Sequence, residues 1–150
     1  MITLQLPYPV SANQYWRTRV AGKIAMTYVS NEAKKYKAQV LALARAAGVL
    51  TPIKGRVQIE IWLYPNRPQD WKKRQRDHGA AWDDTVRSID LDNANKVLLD
   101  SLKDVVIEDD AWVRRIASQR MEPDEHGARV VVRVTKIEVQ APQGELLEQA

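Results

Sequence analysis

No cysteine occurs anywhere in the 150 residues. Disulfides, thiolate metal sites and cysteine nucleophiles are excluded together, and the absence fits a reducing compartment. Phenylalanine is missing as well. The aromatic set is five Trp and five Tyr, so every ring has a polar handle that suits a wet interface as well as a core. Histidine is scarce: His78 and His126 fall in separate expected loops and make no metal pair. Glycine-rich phosphate loops, HExxH and GxSxG are absent. No apolar run approaches the roughly 20 residues that a membrane span needs. Residues 1–7 have neither a basic start nor a long apolar stretch, unlike a signal peptide. The expectation is a cytoplasmic protein with no membrane partner and no organic cofactor. Carboxylate–metal chemistry is the catalytic option these absences leave.

Lys and Arg number 23 against 19 Asp and Glu, a formal charge of +4 with a pI near 9.4. Such an excess permits a nucleic-acid partner without requiring one. The length fits one domain, large enough to bury a core without staples. Residues 1–139 are the expected domain. Residues 140–150, with Pro142, Gly144 and two Glu, read as a flexible tail. There is no internal repeat.

Along the chain, residues 2–6 alternate and stop at Pro7, which predicts a short strand. Residues 7–17 read as a loop in which Ser11 and Asn13 can meet phosphate and Tyr15 or Trp16 can stack, or else as a loop folded over the core. Arg17, Arg19 and Lys23 around Gly22 read as a mobile basic turn. Ser30 is a good N-cap, and Ala33, Tyr36, Val40, Leu43, Ala44 and Ala47 recur at helical spacing up to Gly48. Residues 53–64 alternate as a strand, with Val57, Ile59, Ile61 and Leu63 on one face and Gln58, Glu60, Trp62 and Tyr64 on the other.

Residues 65–88 read as a long basic insertion loop. In it Lys72, Lys73, Arg74 and Arg76 would contact phosphates and Trp71 or Trp82 could stack on an unpaired base; the plain alternative is a solvated insertion. Residues 90–105 carry the helical stripe Leu91, Ala94, Leu98, Leu102 and Val105. Residues 111–121 and 128–139 read as two strands joined by a hairpin loop at 123–127.

The run Ile89-Asp90-Leu91-Asp92-Asn93-Ala94-Asn95-Lys96 holds the densest chemistry, followed one helix later by Glu108-Asp109-Asp110. On a helix, positions two apart point to nearly opposite sides. Asp90 and Asp92 therefore converge only if Asp90 sits at the helix start on extended backbone. The plain alternative is an Asp N-cap, a first-turn Asp that complements the dipole, and an Asp92–Lys96 surface pair. In the functional reading Asp90, Asp92 and Asp110 hold Mg²⁺, a cation that takes one or two carboxylates plus phosphate and water. The helix N-terminus would then receive a phosphate oxygen, and Lys96 would neutralise charge growing on the phosphorane. Asp110 closes the site if the following strand runs back beside the helix. Glu108 and Asp109 are rivals to it.

These residues resemble the RusA family of Holliday junction resolvases. The likeness rests on Asp90-Leu91-Asp92-Asn93-x-x-Lys96 with Asp109-Asp110 beyond it, on Leu6-Pro7-Tyr8-Pro9-x-Ser11-x-Asn13-x-Tyr15, and on Ser30-x-Glu32-Ala33-x-x-Tyr36. It spans roughly residues 2–139. The resemblance implies an α+β fold with a small mixed sheet of about four strands and two main helices, working as a homodimer. It implies hydrolysis dependent on Mg²⁺ or Mn²⁺, with two symmetric cuts across a four-way DNA junction. By position it implies that Asp90, Asp92 and Asp110 are the catalytic acids and Lys96 the catalytic lysine. Such enzymes are often encoded by phages or prophages. The basic residues that commonly precede the first Asp are replaced here by Ser88 and Ile89, with Arg87 just upstream. Ser11, Asn13, Tyr15, Arg17, Lys72, Lys73, Arg74, Arg76 and Arg87 are the DNA-contact candidates. The rival readings are a nuclease of the same chemistry acting on flaps or forks, and a non-catalytic nucleic-acid-binding module.

Overall fold

A computed structural model describes residues 1–142; residues 143–150 of the expected tail lie outside the described part. Its centre is β4 (Val57–Tyr64). Period-two alternation sends Val57, Ile59, Ile61 and Leu63 to one side, where all four are buried, as a half-covered strand requires. β6 (Arg129–Lys136) pairs antiparallel on one edge of β4, and β1 (Ile2–Pro7) pairs antiparallel with β6. β5 (Val113–Arg120) pairs parallel on the other edge of β4. The sheet order is β1-β6-β4-β5, a mixed four-stranded sheet as expected.

One face of the sheet is covered by two helices. α2 (Asn31–Ala46) starts at Ser30, whose Oγ accepts from the Ala33 N–H at 3.2 Å. It buries Ala33, Tyr36, Val40 and Ala44, spaced at three and four residues. α4 (Leu91–Leu102) buries Ala94, Val97, Leu98 and Leu102 against the same layer. Its last turn ends where Asp104 takes a left-handed conformation (φ 65°), the usual stop just past a helix C-cap. On the other sheet face the rows Glu60–Arg133, Trp62–Val131 and Tyr64–Arg129 lie side by side. The Arg129 guanidinium stands 3.9 Å from the Tyr64 ring centroid, so charged stems shield the aromatics there.

Three expectations are corrected. The strands β5 and β6 do not form a hairpin, because β4 lies between them. Residues 123–127 therefore connect two strands that both use β4 as partner, a non-local choice that turn residues do not encode. The basic turn around Gly22 is the tip of a second, two-stranded sheet, β2 (Trp16–Ala21) with β3 (Ile24–Val29). Gly22 supplies the positive φ (64°) that a two-residue hairpin turn demands.

The basic insertion at 65–88 is not a loop. It holds α3 (Trp71–His78) and a 3-10 segment at Gly79–Thr85. Asp70 pairs with Arg74 one turn on, Nε to Oδ1 at 2.8 Å, and Arg74 Nη1 donates to the Thr85 carbonyl at 2.7 Å. Arg120 Nη2 donates to the carbonyls of Asp83 and Val86, each at 2.8 Å. No apolar stripe in the sequence reveals this helix, which buries no residue fully.

Candidate active site

The run from Ser88 to Lys96 turns from loop into helix at Asp90. That residue has extended backbone (φ −67°, ψ 147°) and occupies the N-cap of α4. The geometry required for Asp90 and Asp92 to converge is thus present. The capping alternative does not account for it, since the Asp90 side chain makes no capping hydrogen bond. Among the described residues neither Asp90, Asp92 nor Lys96 has a salt-bridge partner, and all three are exposed. The Asp92–Lys96 surface pair of the plain alternative is therefore not made. First-turn N–H groups of α4 have no partner inside the helix.

The start of α4 is held from both sides. Ile89 N–H donates to the Tyr8 hydroxyl at 2.7 Å, tying the residue before Asp90 to the segment after β1. Tyr36 in turn donates to the Pro7 carbonyl at 2.8 Å. Further along α4, Asp100 accepts from the Tyr15 hydroxyl and from Lys37 Nζ at 2.9 Å. Burial, and then the Asp100 bond, push the Tyr15 phenol well above its ordinary range. On β5, Ser118 Oγ donates to Asn95 Oδ1 at 2.6 Å. Sequence reading missed Tyr8, Asn95 and Asp100 as positioning groups. Only the Tyr8 position within Pro7-Tyr8-Pro9 hinted at a role.

An open cavity of about 850 Å³ lies beside this helix start. Its wall includes Asp90, Asn93, Ser11, Gln14, Arg74 and Arg87. Of the DNA-contact candidates, Ser11, Arg74 and Arg87 thus share a wall with Asp90. Ser11 also caps the short helix α1 (Ala12–Tyr15), on which Asn13 is exposed. Lys72, Lys73 and Arg76 are exposed on α3 and Arg17 on β2. Tyr15 is fully buried, so its expected contact with DNA is corrected: the ring is core and its hydroxyl is spent on Asp100. Trp82 is likewise buried, its Nε1 donating to Glu122 Oε1 at 2.7 Å, and it cannot stack on a base. Trp71 is half-buried under the Arg67 guanidinium, 4.3 Å from the ring centroid.

Asp110 does not join Asp90 and Asp92 within the chain. It opens a 3-10 turn beyond the far end of α4, beside Asp109, whose Oδ2 lies 3.6 Å from Lys103 Nζ. From Asp92 to Lys103 the helix rises about 17 Å at 1.5 Å per residue. Among the described residues no three acids or histidines are grouped to hold a metal ion. Interaction between the adjacent carboxyls of Asp109 and Asp110 lowers the first and raises the second, so the two titrate as a pair. Glu108 is committed elsewhere, Oε1 accepting from the Gly55 N–H at 2.7 Å.

Over residues 7–135 the chain matches the family described as endodeoxyribonuclease RusA. No curated protein matches the chain. The match covers most of the described fold, and the chain belongs to that family, whose activity is that of a Holliday junction-resolving endonuclease. No helix of the described residues is long and apolar enough to cross a membrane.

Proposed function

We propose that this member of the endodeoxyribonuclease RusA family hydrolyses phosphodiesters in four-way DNA junctions by paired symmetric cuts, as a metal-dependent homodimer. One observation carries the reading. The Asp90 carboxylate stands at a helix start without capping it, exposed in the wall of an open groove and close in sequence to Asp92 and Lys96, two charges with no ion-pair partner among the described residues. A group kept free where a structural bond was available is a group kept for a ligand.

The donor set fits Mg²⁺, with Mn²⁺ equally served. Exposed carboxylate oxygens are what hard divalent cations take, alongside water and phosphate. Asp90 and Asp92 would hold the ion, which when bound supplies Lewis acidity at the scissile phosphate and a more acidic water. The rest falls to the protein. The free N–H groups of the first turn of α4 receive a phosphate oxygen. Lys96, one turn further in, offsets charge that grows on the phosphorane. Arg87 and Arg74 in the groove wall hold the flanking backbone, Arg74 with its guanidinium already aligned by Asp70 and Thr85.

Asp110 enters from a second copy in this reading. A two-fold partner whose α4 runs antiparallel brings the far end of one helix to the near end of the other, at both sites at once. Mixing separates this arrangement from an intrachain one. Asp92→Asn and Asp110→Asn proteins, each inactive alone, are mixed under conditions that exchange subunits. Each mixed dimer then holds one site with both acids intact, restoring about a quarter of all sites. Cleavage of a labelled four-way junction with Mg²⁺ or Mn²⁺, beside duplex, flap and fork controls, reads the result. Recovery of single nicks supports shared sites. No recovery despite subunit exchange rejects them, and binding without cutting under either metal rejects the nuclease.

A further inference from the structure

Among the described residues the ribbon β2–β3 packs on no other element along most of its length: every residue from 17 to 28 is exposed. Six residues a strand make it about 20 Å long. A free two-stranded hairpin is at best marginally stable in water, yet this one shows Val20 68% exposed, Ile24 66%, Met26 54% and Tyr28 49%. Directly paired residues of an antiparallel ladder share a face. The pairs Arg17–Tyr28, Arg19–Met26 and Ala21–Ile24 therefore set two guanidiniums beside a phenol, a thioether and a branched aliphatic chain. Lys23 stands at the tip. Residues 16–29 contain these three cations and no acid.

The root of the ribbon is rigid and continuous with the candidate active site. Trp16 packs edge-on against buried Tyr15, ring centroids 4.5 Å apart. Ser30 N–H donates to the Tyr15 carbonyl at 2.9 Å, and Ser30 Oγ to the Gln14 carbonyl at 2.5 Å, clamping the two ends of the excursion. Gln14 itself lines the groove that holds Asp90.

We propose that β2–β3 is an arm that lies along a groove of the branched DNA substrate next to the cleavage site. Arg17, Arg19 and Lys23 meet phosphates, and Tyr28, Met26 and Ile24 face base and sugar edges. The inference rests on the endonuclease reading above. A two-stranded ribbon is one of the few elements the major groove admits, and apolar side chains beside arginine are what grooves accept from proteins that bend DNA. A second copy of this chain fits worse. Self-complementary packing of this face would set Arg17 and Arg19 against like charges, with no carboxylate in the ribbon to offset them, whereas a polyanion satisfies all three cations.

The test is salt-dependent equilibrium binding of a fluorescent four-way junction, without divalent metal, to the full chain and two variants. In R17Q/R19Q/K23Q the slope of log K against log salt should fall by about two to three, since each lost phosphate contact removes about 0.9. In I24S/M26S affinity should fall with the slope unchanged. Both variants should keep the wild-type circular dichroism and sedimentation coefficient. An unchanged slope and affinity in the triple variant overturns the proposal. So does a change of oligomeric state, which would make the ribbon a clasp between protomers. Failure of the wild type to bind any DNA is a separate result, and it removes the endonuclease reading together with the arm.

Discussion

The two ends of α4 carry acids of opposite character. At the N-terminal end Asp90 and Asp92 are exposed and have no ion-pair partner among the described residues, and Asp90 declines the cap its position offers. At the C-terminal end Glu108 bonds the Gly55 N–H, while Asp109 bonds the Ala111 N–H and faces Lys103. Asp110 neighbours Asp109, whose carboxyl raises its own. Similar side chains one helix apart are thus left free at one end and largely engaged in local bonds at the other. Composition is alike at both ends. What differs is whether a backbone donor or a cation lies within reach, and that depends on segments far away in sequence.

The largest effect should fall on Asp92→Asn. Junction cleavage should drop by at least about 100-fold, the order seen on losing one electrostatic group at a reacting phosphate or carbonyl. Junction binding should be kept or tightened, since a negative charge near phosphate is lost, and the melting temperature should hold. A collapse in stability with cleavage intact in the surviving protein would make the N-terminal acids structural and erase the contrast between the ends.

Asp110→Asn against Asp109→Ala sharpens the comparison at the other end. Single-turnover cleavage should fall steeply for the first, whereas the second should mainly loosen the turn at Ala111. The reverse order of effects would assign the ligand to Asp109.

Tyr8→Phe tests the support of the N-terminal end. Ile89 N–H loses its acceptor, a cost of about 1 kcal/mol in stability. Cleavage should fall about tenfold through misplacement of Asp90, with a rise in the metal concentration that gives half activity.

The smallest effect is in acid. Arg129 holds the Asp124 carboxyl down to about 2 from its ordinary 3.8, through Nη1–Oδ1 and Nη2–Oδ2 bonds of 2.7 and 2.8 Å. A depressed folded-state value means its stabilisation is whole above about pH 4 and is lost as pH falls toward 2. Asp124→Asn should lower stability at neutral pH and flatten that acid slope in denaturant titrations. An unchanged slope would mean that the pair adds nothing beyond solvation.

Legibility followed distance along the chain. Leu91, Ala94, Leu98 and Leu102 announced α4, and Val57 to Leu63 announced β4, because both periods sit inside one short window. Asp90 and Asp92 were visible for the same reason. Their freedom from caps and ion pairs was not, since an N-cap Asp usually bonds its own helix. Trp71 to His78 was hidden because a helix with no buried face has no period. Tyr15 is open to two readings in the sequence, stacking ring or core, and only the fold makes it core, because its partner, Asp100, lies 85 residues away.

By itself the sequence determined the element types that bury an apolar face, the absence of thiol chemistry, and the acidic motif on which the family resemblance rests. Tertiary structure alone decided the strand order, the projection of the β2–β3 ribbon, the burial of Tyr15 and Trp82, and the separation of Asp110 from Asp90 and Asp92. The physical reason is common to all of these. Periodicity is a property of neighbours, whereas a strand's partner, a hydroxyl's acceptor and a carboxylate's freedom depend on which remote segment folds against it.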